Sequence, residues 1–168
     1  MWGFQLWVNL PAAHKMDPPR YQDIPPGEIP EREHDTALVR VIAGESGGVP
    51  GPVRGIVTDP LYLDVKVPAG RRFEHPVPEG HNGVVYVFEG SGEIGGADGL
   101  AGRRLEAGRL AVLGEGDTVA AVAGEDGLRF LLLAARPIGE PIARYGPFVM
   151  NTREEILRAV DDFQSGNF

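Results

Sequence analysis

Between residues 37 and 136 the chain is divided into short apolar runs by glycine-bearing turns, and this limits its fold more than any other feature. Leu61–Val67 is the clearest run. Leu61, Leu63, Val65 and Val67 alternate with Tyr62, Asp64 and Lys66, the period of a pleated strand with one apolar face. Asp64 falls on the other face and is expected to meet solvent. Further strands are expected at 38–43, 53–58, 71–77, 84–88, 93–94, 103–106, 109–113, 118–123 and 128–135. Pro68-Ala69-Gly70, Glu89-Gly90-Ser91-Gly92, Ala107-Gly108, Gly114-Glu115-Gly116-Asp117 and Gly124-Glu125-Asp126-Gly127 read as the turns between them. Strands at this spacing, with no helical period between them, predict an all-β sandwich or barrel.

The flanks differ from this centre. Trp2, Phe4, Leu6, Val8 and Leu10 alternate with polar or small positions and predict an apolar leading strand that needs something to lie against. Residues 11–36 contain Asp17-Pro18-Pro19 and Ile24-Pro25-Pro26-Gly27, which favours an extended crossing arm over a helix. At the other end Thr152-Arg153-Glu154-Glu155 forms a capping box. Ile156, Leu157, Val160 and Phe163 follow at helical period, which predicts a docked helix over 152–164. The expected organisation is an N-terminal strand and arm at 1–36, a β domain at 37–136 and a helix-bearing segment at 137–168.

Charge and composition exclude several function classes. The net charge is −8, from 16 basic and 24 acidic residues, and no Lys/Arg run exceeds two. Such a surface repels a phosphate backbone, so direct nucleic-acid binding is not expected. There is no cysteine, hence no disulfide or thiolate chemistry. No apolar run reaches membrane-spanning length and no signal-peptide pattern opens the chain, so a cytoplasmic protein without membrane contact is expected.

Two stretches are more specific. The first is Phe4-Gln5-Leu6-Trp7-Val8-Asn9-Leu10-Pro11, followed by Lys15-Met16 and Pro19-Arg20-Tyr21-Gln22. The second is Gly146-Pro147-Phe148-Val149-Met150-Asn151-Thr152, followed by Glu154-Glu155-Ile156. Both resemble the pirin family, in the same order and separation. Leu61-Tyr62-Leu63-Asp64, the run 78–82 leading to Tyr86, and residues 111–117 are also similar to its C-terminal module. Pirins are bicupins with iron in the first module. The resemblance implies a cupin jelly roll, with residue 1 near the middle of a full pirin and the iron expected only in the absent N-terminal module. The chain is then a truncated product, one half of a split gene, or a sequence with a misplaced start. Its leading strand would pair with that N-terminal module or with a second copy, making a homodimer through residues 1–10.

A cupin metal site takes two histidines separated by one residue on a strand, so that both project into the barrel, with a third histidine and a carboxylate, donors suited to iron or manganese. Placing the first cupin motif by Gly70, Tyr86 and Gly90 puts the histidine positions at Pro76 and Pro78 and the carboxylate position at Asn82. The second motif, across 109–122, contains no histidine. No metal ligand and no cofactor are therefore expected in this chain. His75 and His81 read as rim histidines around a proline turn. The alternative is a displaced metal pair with Glu74 or Glu79. His14 and His34 lie in the crossing arm and are expected to be solvated.

No catalytic residue stands out. Glu115 and Asp117 could be an acid–base pair, but their glycine neighbours favour a tight hairpin turn. Gly90-Ser91-Gly92 and Gly95-Gly96 do not open a helix and so are not phosphate cradles. No histidine stands near a plausible serine nucleophile. Tyr62, Phe73 and Tyr86 either line a barrel mouth or pack, and packing is the simpler reading. Three roles follow: a non-catalytic module supporting a metal-bearing partner, half of a quercetin 2,3-dioxygenase-type enzyme working in trans, or a stand-alone small-molecule-binding cupin.

Overall fold

The structure is a computed structural model in which residues 3–34, 36–96 and 102–167 are described. The chain forms two compact units, Tyr21–Pro137 and a second made of Met1–Arg20 with Ile138–Phe168.

The larger unit is built from β1 (Glu31–His34), β2 (Ala37–Ala43), β3 (Glu45–Ser46), β4 (Val49–Pro50), β5 (Leu61–Val67), β6 (Arg72–Pro76), β7 (Asn82–Ile94), β8 (Arg103–Glu106), β9 (Arg109–Val112) and β10 (Thr118–Ala135). All ladders of its main sheet are antiparallel. The main sheet runs β1-β2-β5-β10-β7-β8, with β6 also on β10 and β9 also on β7. β7 and β10 are long enough to serve two wings. The first half of β10 pairs with β6 and with the end of β7, while its second half pairs with β5 and with the start of β7.

Two expected turns are therefore not turns. Residues 89–92 lie inside β7 and residues 124–127 inside β10, where the register between the two strands shifts. The glycines serve close approach instead of chain reversal. Gly90 has φ +69°, and a Cβ there would stand 2.1 Å from the Gly127 carbonyl oxygen. Both strands bend at this crossing, as at a β-bulge, and the sheet folds over itself. The wings then enclose one core. Phe73 from β6 meets Phe130 from β10 edge-on at 5.9 Å, and neither ring is exposed. Burial of each contributes roughly 2–3 kcal/mol.

The strand predicted at 53–58 is absent. Only a single bridge, Ala43 to Val53, forms there, because no neighbour supplies a ladder. Three elements appear that hydrophobic periodicity does not reveal. β1 has the polar sequence Glu-Arg-Glu-His. β3 and β4 form a hairpin across Gly47-Gly48, both at positive φ as a tight primed turn requires. In the smaller unit β11 (Ala143–Tyr145) and β12 (Phe148–Met150) pair across Gly146-Pro147.

The smaller unit also departs from expectation at residues 3–10. They form no strand, and Trp7 is 69% exposed; a β alternation without a partner has nothing to satisfy its backbone. The arm that follows contains one-turn 3₁₀ helices at Ala12–His14 and Pro26–Glu28. Helix α1 (Arg153–Gln164) starts with the expected capping box, Thr152 Oγ1 accepting from the Glu155 amide and Glu155 accepting from the Thr152 amide. Hydrogen bonds from the Asn151 and Thr152 amides hold the Glu155 carboxyl below its usual range. Its buried residues are Ile156 and Ala159, while Leu157 and Phe163 of the predicted stripe are exposed. The packed face is narrower than the apolar one. Phe163 retains an edge contact with Phe148 at 5.9 Å.

The glycine crossing yields a stability prediction. Gly90→Ala is expected to cost roughly 2–4 kcal/mol in urea unfolding, from left-handed strain and the carbonyl clash. Gly27→Ala, where a Cβ meets nothing, should change it by less than about 0.5 kcal/mol.

Candidate functional site

The stretch expected to carry a metal is β6 and its link to β7. Pairing with β10 sets His75 opposite Val119 and Pro76 opposite Thr118. The pleat then turns Phe73, His75 and Val77 inward and leaves Arg72, Glu74, Pro76 and Pro78 exposed. The expectation that positions 76 and 78 project into the barrel is corrected by this register: both prolines face outward. Asn82 at the start of β7 is exposed, as are Glu74 and Glu79. Glu74 pairs with Arg72.

His34 and His75 are neighbours, with ring centroids 6.1 Å apart, while His14 and His81 bond to other partners. His75 is 2% exposed and is no rim residue. Its Nδ1 lies 2.6 Å from the Pro76 carbonyl oxygen and its Nε2 3.0 Å from Ser46 Oγ. A carbonyl only accepts, so Nδ1 carries the proton and Nε2 accepts from the Ser46 hydroxyl. Burial pushes the His75 pKa down, opposed by the Pro76 hydrogen bond and assisted by His34 and Arg32. His34 is not solvated as expected. Its Nε2 donates to the Glu74 carbonyl at 2.8 Å and its Nδ1 accepts from Arg32 at 3.1 Å. His81 has a nearly enclosed side chain and donates to the Asp59 carbonyl at 3.2 Å. His14 bonds Asp17 at 2.8 Å on the surface. Each described imidazole is thus bound to protein. Among the described residues no three His, Asp or Glu side chains are placed to hold a metal ion. The donor set here does not fit a cupin iron centre.

Ser46 and His75 form a serine–histidine pair that sequence reasoning missed, since 29 positions separate them. Ser46 is fully buried, so no substrate reaches its hydroxyl and the pair is structural. Its only advance signal is the Gly47-Gly48 turn.

Glu115 and Asp117 line an open groove of about 930 Å³ together with Glu79, His81 and Asn82. They do not form a hairpin turn. They lie in a bend joining β9 to β10, which flank β7 on opposite sides. The groove is acidic and solvent-filled. Of the candidate mouth aromatics, Phe73 is a core residue, and Tyr62 and Tyr86 are half-buried. Burial, then the Asp64 charge, pushes the Tyr62 phenol up.

Asp64 is corrected as well. It is 8% exposed and takes a bidentate pair from Arg129, at 2.9 Å from Nε and 2.7 Å from Nη2. Arg129 also reaches Glu89 at 3.2 Å and stands 5.0 Å over the Phe88 ring. The Asp64 hydrogen bond is the main reason the guanidinium is held still more firmly in its charged form.

Residues 62–168 match the pirin C-terminal cupin domain. This chain belongs to the pirin family. It is 46% identical to a pirin-like protein of Caulobacter vibrioides over 172 aligned residues, covering 100% of this chain and 59% of that pirin. A putative quercetin 2,3-dioxygenase of Pseudomonas aeruginosa is 42% identical, over 99% of this chain and 59% of its own length. Among solved structures, a quercetin 2,3-dioxygenase from Acinetobacter baumannii superposes with a TM-score of 0.85 at 38% identity, over 96% of this chain and 55% of that one. The chain therefore spans little more than half the length of these pirin relatives, and its fold is the cupin fold. No described helix is long and apolar enough to cross a membrane.

Removing Arg129 tests the buried pair. Arg129→Met strands the Asp64 charge and is expected to cost about 2–4 kcal/mol in chemical unfolding, most of it recovered in the Asp64→Leu/Arg129→Met double variant. A single variant as stable as the parent contradicts this.

Proposed function

We propose that this chain is a non-catalytic, metal-free cupin module of a cytoplasmic pirin-like protein, supporting a metal-bearing cupin. The observation that carries the reading is the state of the ligand positions. The family pattern aligns prolines with the imidazoles, and the one histidine facing the core, His75, has both ring nitrogens bonded within the fold. The exposed apolar residues Phe4, Leu6, Trp7 and Val8 support a docking role for the leading segment. Its partner is an N-terminal pirin cupin module or a second copy of this chain.

The purified chain, incubated anaerobically with Fe(II) and desalted, is expected to hold well below one iron per molecule. Stoichiometric binding of micromolar affinity or better overturns the metal-free reading. Co-expression with the N-terminal cupin of the Caulobacter relative is expected to give a complex that Trp7→Asp weakens.

The similarity to quercetin 2,3-dioxygenases favours a second reading, in which this module completes such an enzyme in trans. Quercetin consumption is then expected from the co-expressed pair and not from the lone chain. Turnover by the lone chain contradicts both readings.

A further inference from the structure

β7 and β10 join the two wings of the roll on one side. On the other side the free edges belong to β1 and β6, and here four side chains connect them. Arg32 donates from Nη1 to the Ser46 carbonyl at 2.7 Å and from Nη2 to His34 Nδ1 at 3.1 Å. His34 Nε2 donates to the Glu74 carbonyl on β6, and Ser46 Oγ donates to His75 Nε2. The β3–β4 hairpin sits between the edges. Its turn is shaped for this contact: a Cβ on Gly47 would fall 1.4 Å from Arg32 Nη1, so only glycine lets the guanidinium lie against the loop.

The partners fix opposite tautomers. His75 is protonated on Nδ1 and His34 on Nε2, and each remaining nitrogen accepts a hydrogen bond. A second proton on either ring turns that acceptor into a donor. On His34 it would then face the Arg32 N–H. On His75 it places a cation in a site closed by Phe73, stacked at 6.0 Å. Among the described residues, the charged or titratable groups facing His75 are Arg32 and His34, both from β1. The hairpin offers the neutral Ser46 hydroxyl and β10 offers Val119. The Arg72–Glu74 pair of its own strand lies on the exposed face. Among the described residues no carboxylate is placed to receive an imidazolium on His75.

We propose that Arg32, His34, Ser46 and His75 form a proton-sensitive latch that closes the β1–β6 side of the roll at neutral pH and releases the β3–β4 hairpin in acid. The linkage has the same sign. The folded state holds His75 below its ordinary value near 6.5, whereas the unfolded or locally opened segment takes up its proton near that value. The stabilisation is complete above this range and is lost as pH falls through it toward the lowered native value.

Hydrogen exchange of the intact chain at pH 7.5 and 5.0, corrected for intrinsic rates, tests the latch. Protection at residues 45–50 is expected to fall roughly tenfold or more at the lower pH, while β5 and the second half of β10 stay protected. His75→Phe keeps the ring stack and should abolish the pH step. Arg32→Gln should lower protection of the hairpin already at pH 7.5. Should His75→Phe not fold, ¹⁵N shifts of the parent decide: at pH 7.5 His75 must show a protonated Nδ1 and a bare Nε2. Equal protection of the parent's hairpin at both pH values, a step persisting in His75→Phe, or the opposite tautomer overturns the proposal.

Discussion

The ladder between β7 and β10 belongs to both wings of the roll, so the other strands of the main sheet are positioned by it, directly or through β5. β5 and β6 add to β10, and β8 and β9 add to β7. The ladder can serve two wings because it bends where Gly90 meets Gly127, with no room for a side chain between the strands. The bend also brings Phe73 over Phe130. A larger residue at the crossing would disturb register, curvature and core together, which makes this backbone contact the most connected one in the unit.

Asp64 and His75 are each bonded before they are buried, whereas the Thr58 hydroxyl is buried with no hydrogen-bond partner among the described residues. Asp64 is covered because Arg129 reaches it with two donors, and His75 because Ser46 and the Pro76 carbonyl occupy both nitrogens. Iron chemistry asks the opposite of an imidazole, a lone pair left free and convergent with others. A histidine already satisfied on both sides has no lone pair left to offer a metal. Among the described residues of this chain no three His, Asp or Glu side chains converge in that way.

How much of this the sequence reveals depends on whether a signal has one physical meaning. The alternation at 61–67 has one, and that strand appears with the expected bounds. Glycine has two, and residues 89–92 and 124–127 read as turns when they are bends inside continuous strands. β1 carries no apolar face and escapes periodicity altogether, while residues 3–10 carry a strong alternation and no ladder. For the site, the family pattern located the prolines at 76 and 78, but not which way they point. That parity comes from the pairing of His75 with Val119, on a distant stretch of the chain. Asp64 read as solvated for the same reason, its partner lying 65 residues downstream.

The sharing of β7 and β10 has a mechanical consequence. Two layers made of separate strands can slide or peel apart by losing side-chain contacts alone. Here the backbone itself passes from layer to layer, twice, so separating them on that side means tearing a ladder from its centre. At the opposite rim the layers share no ladder, and there the polar contacts of Arg32, His34, Ser46 and His75 join them above the common core.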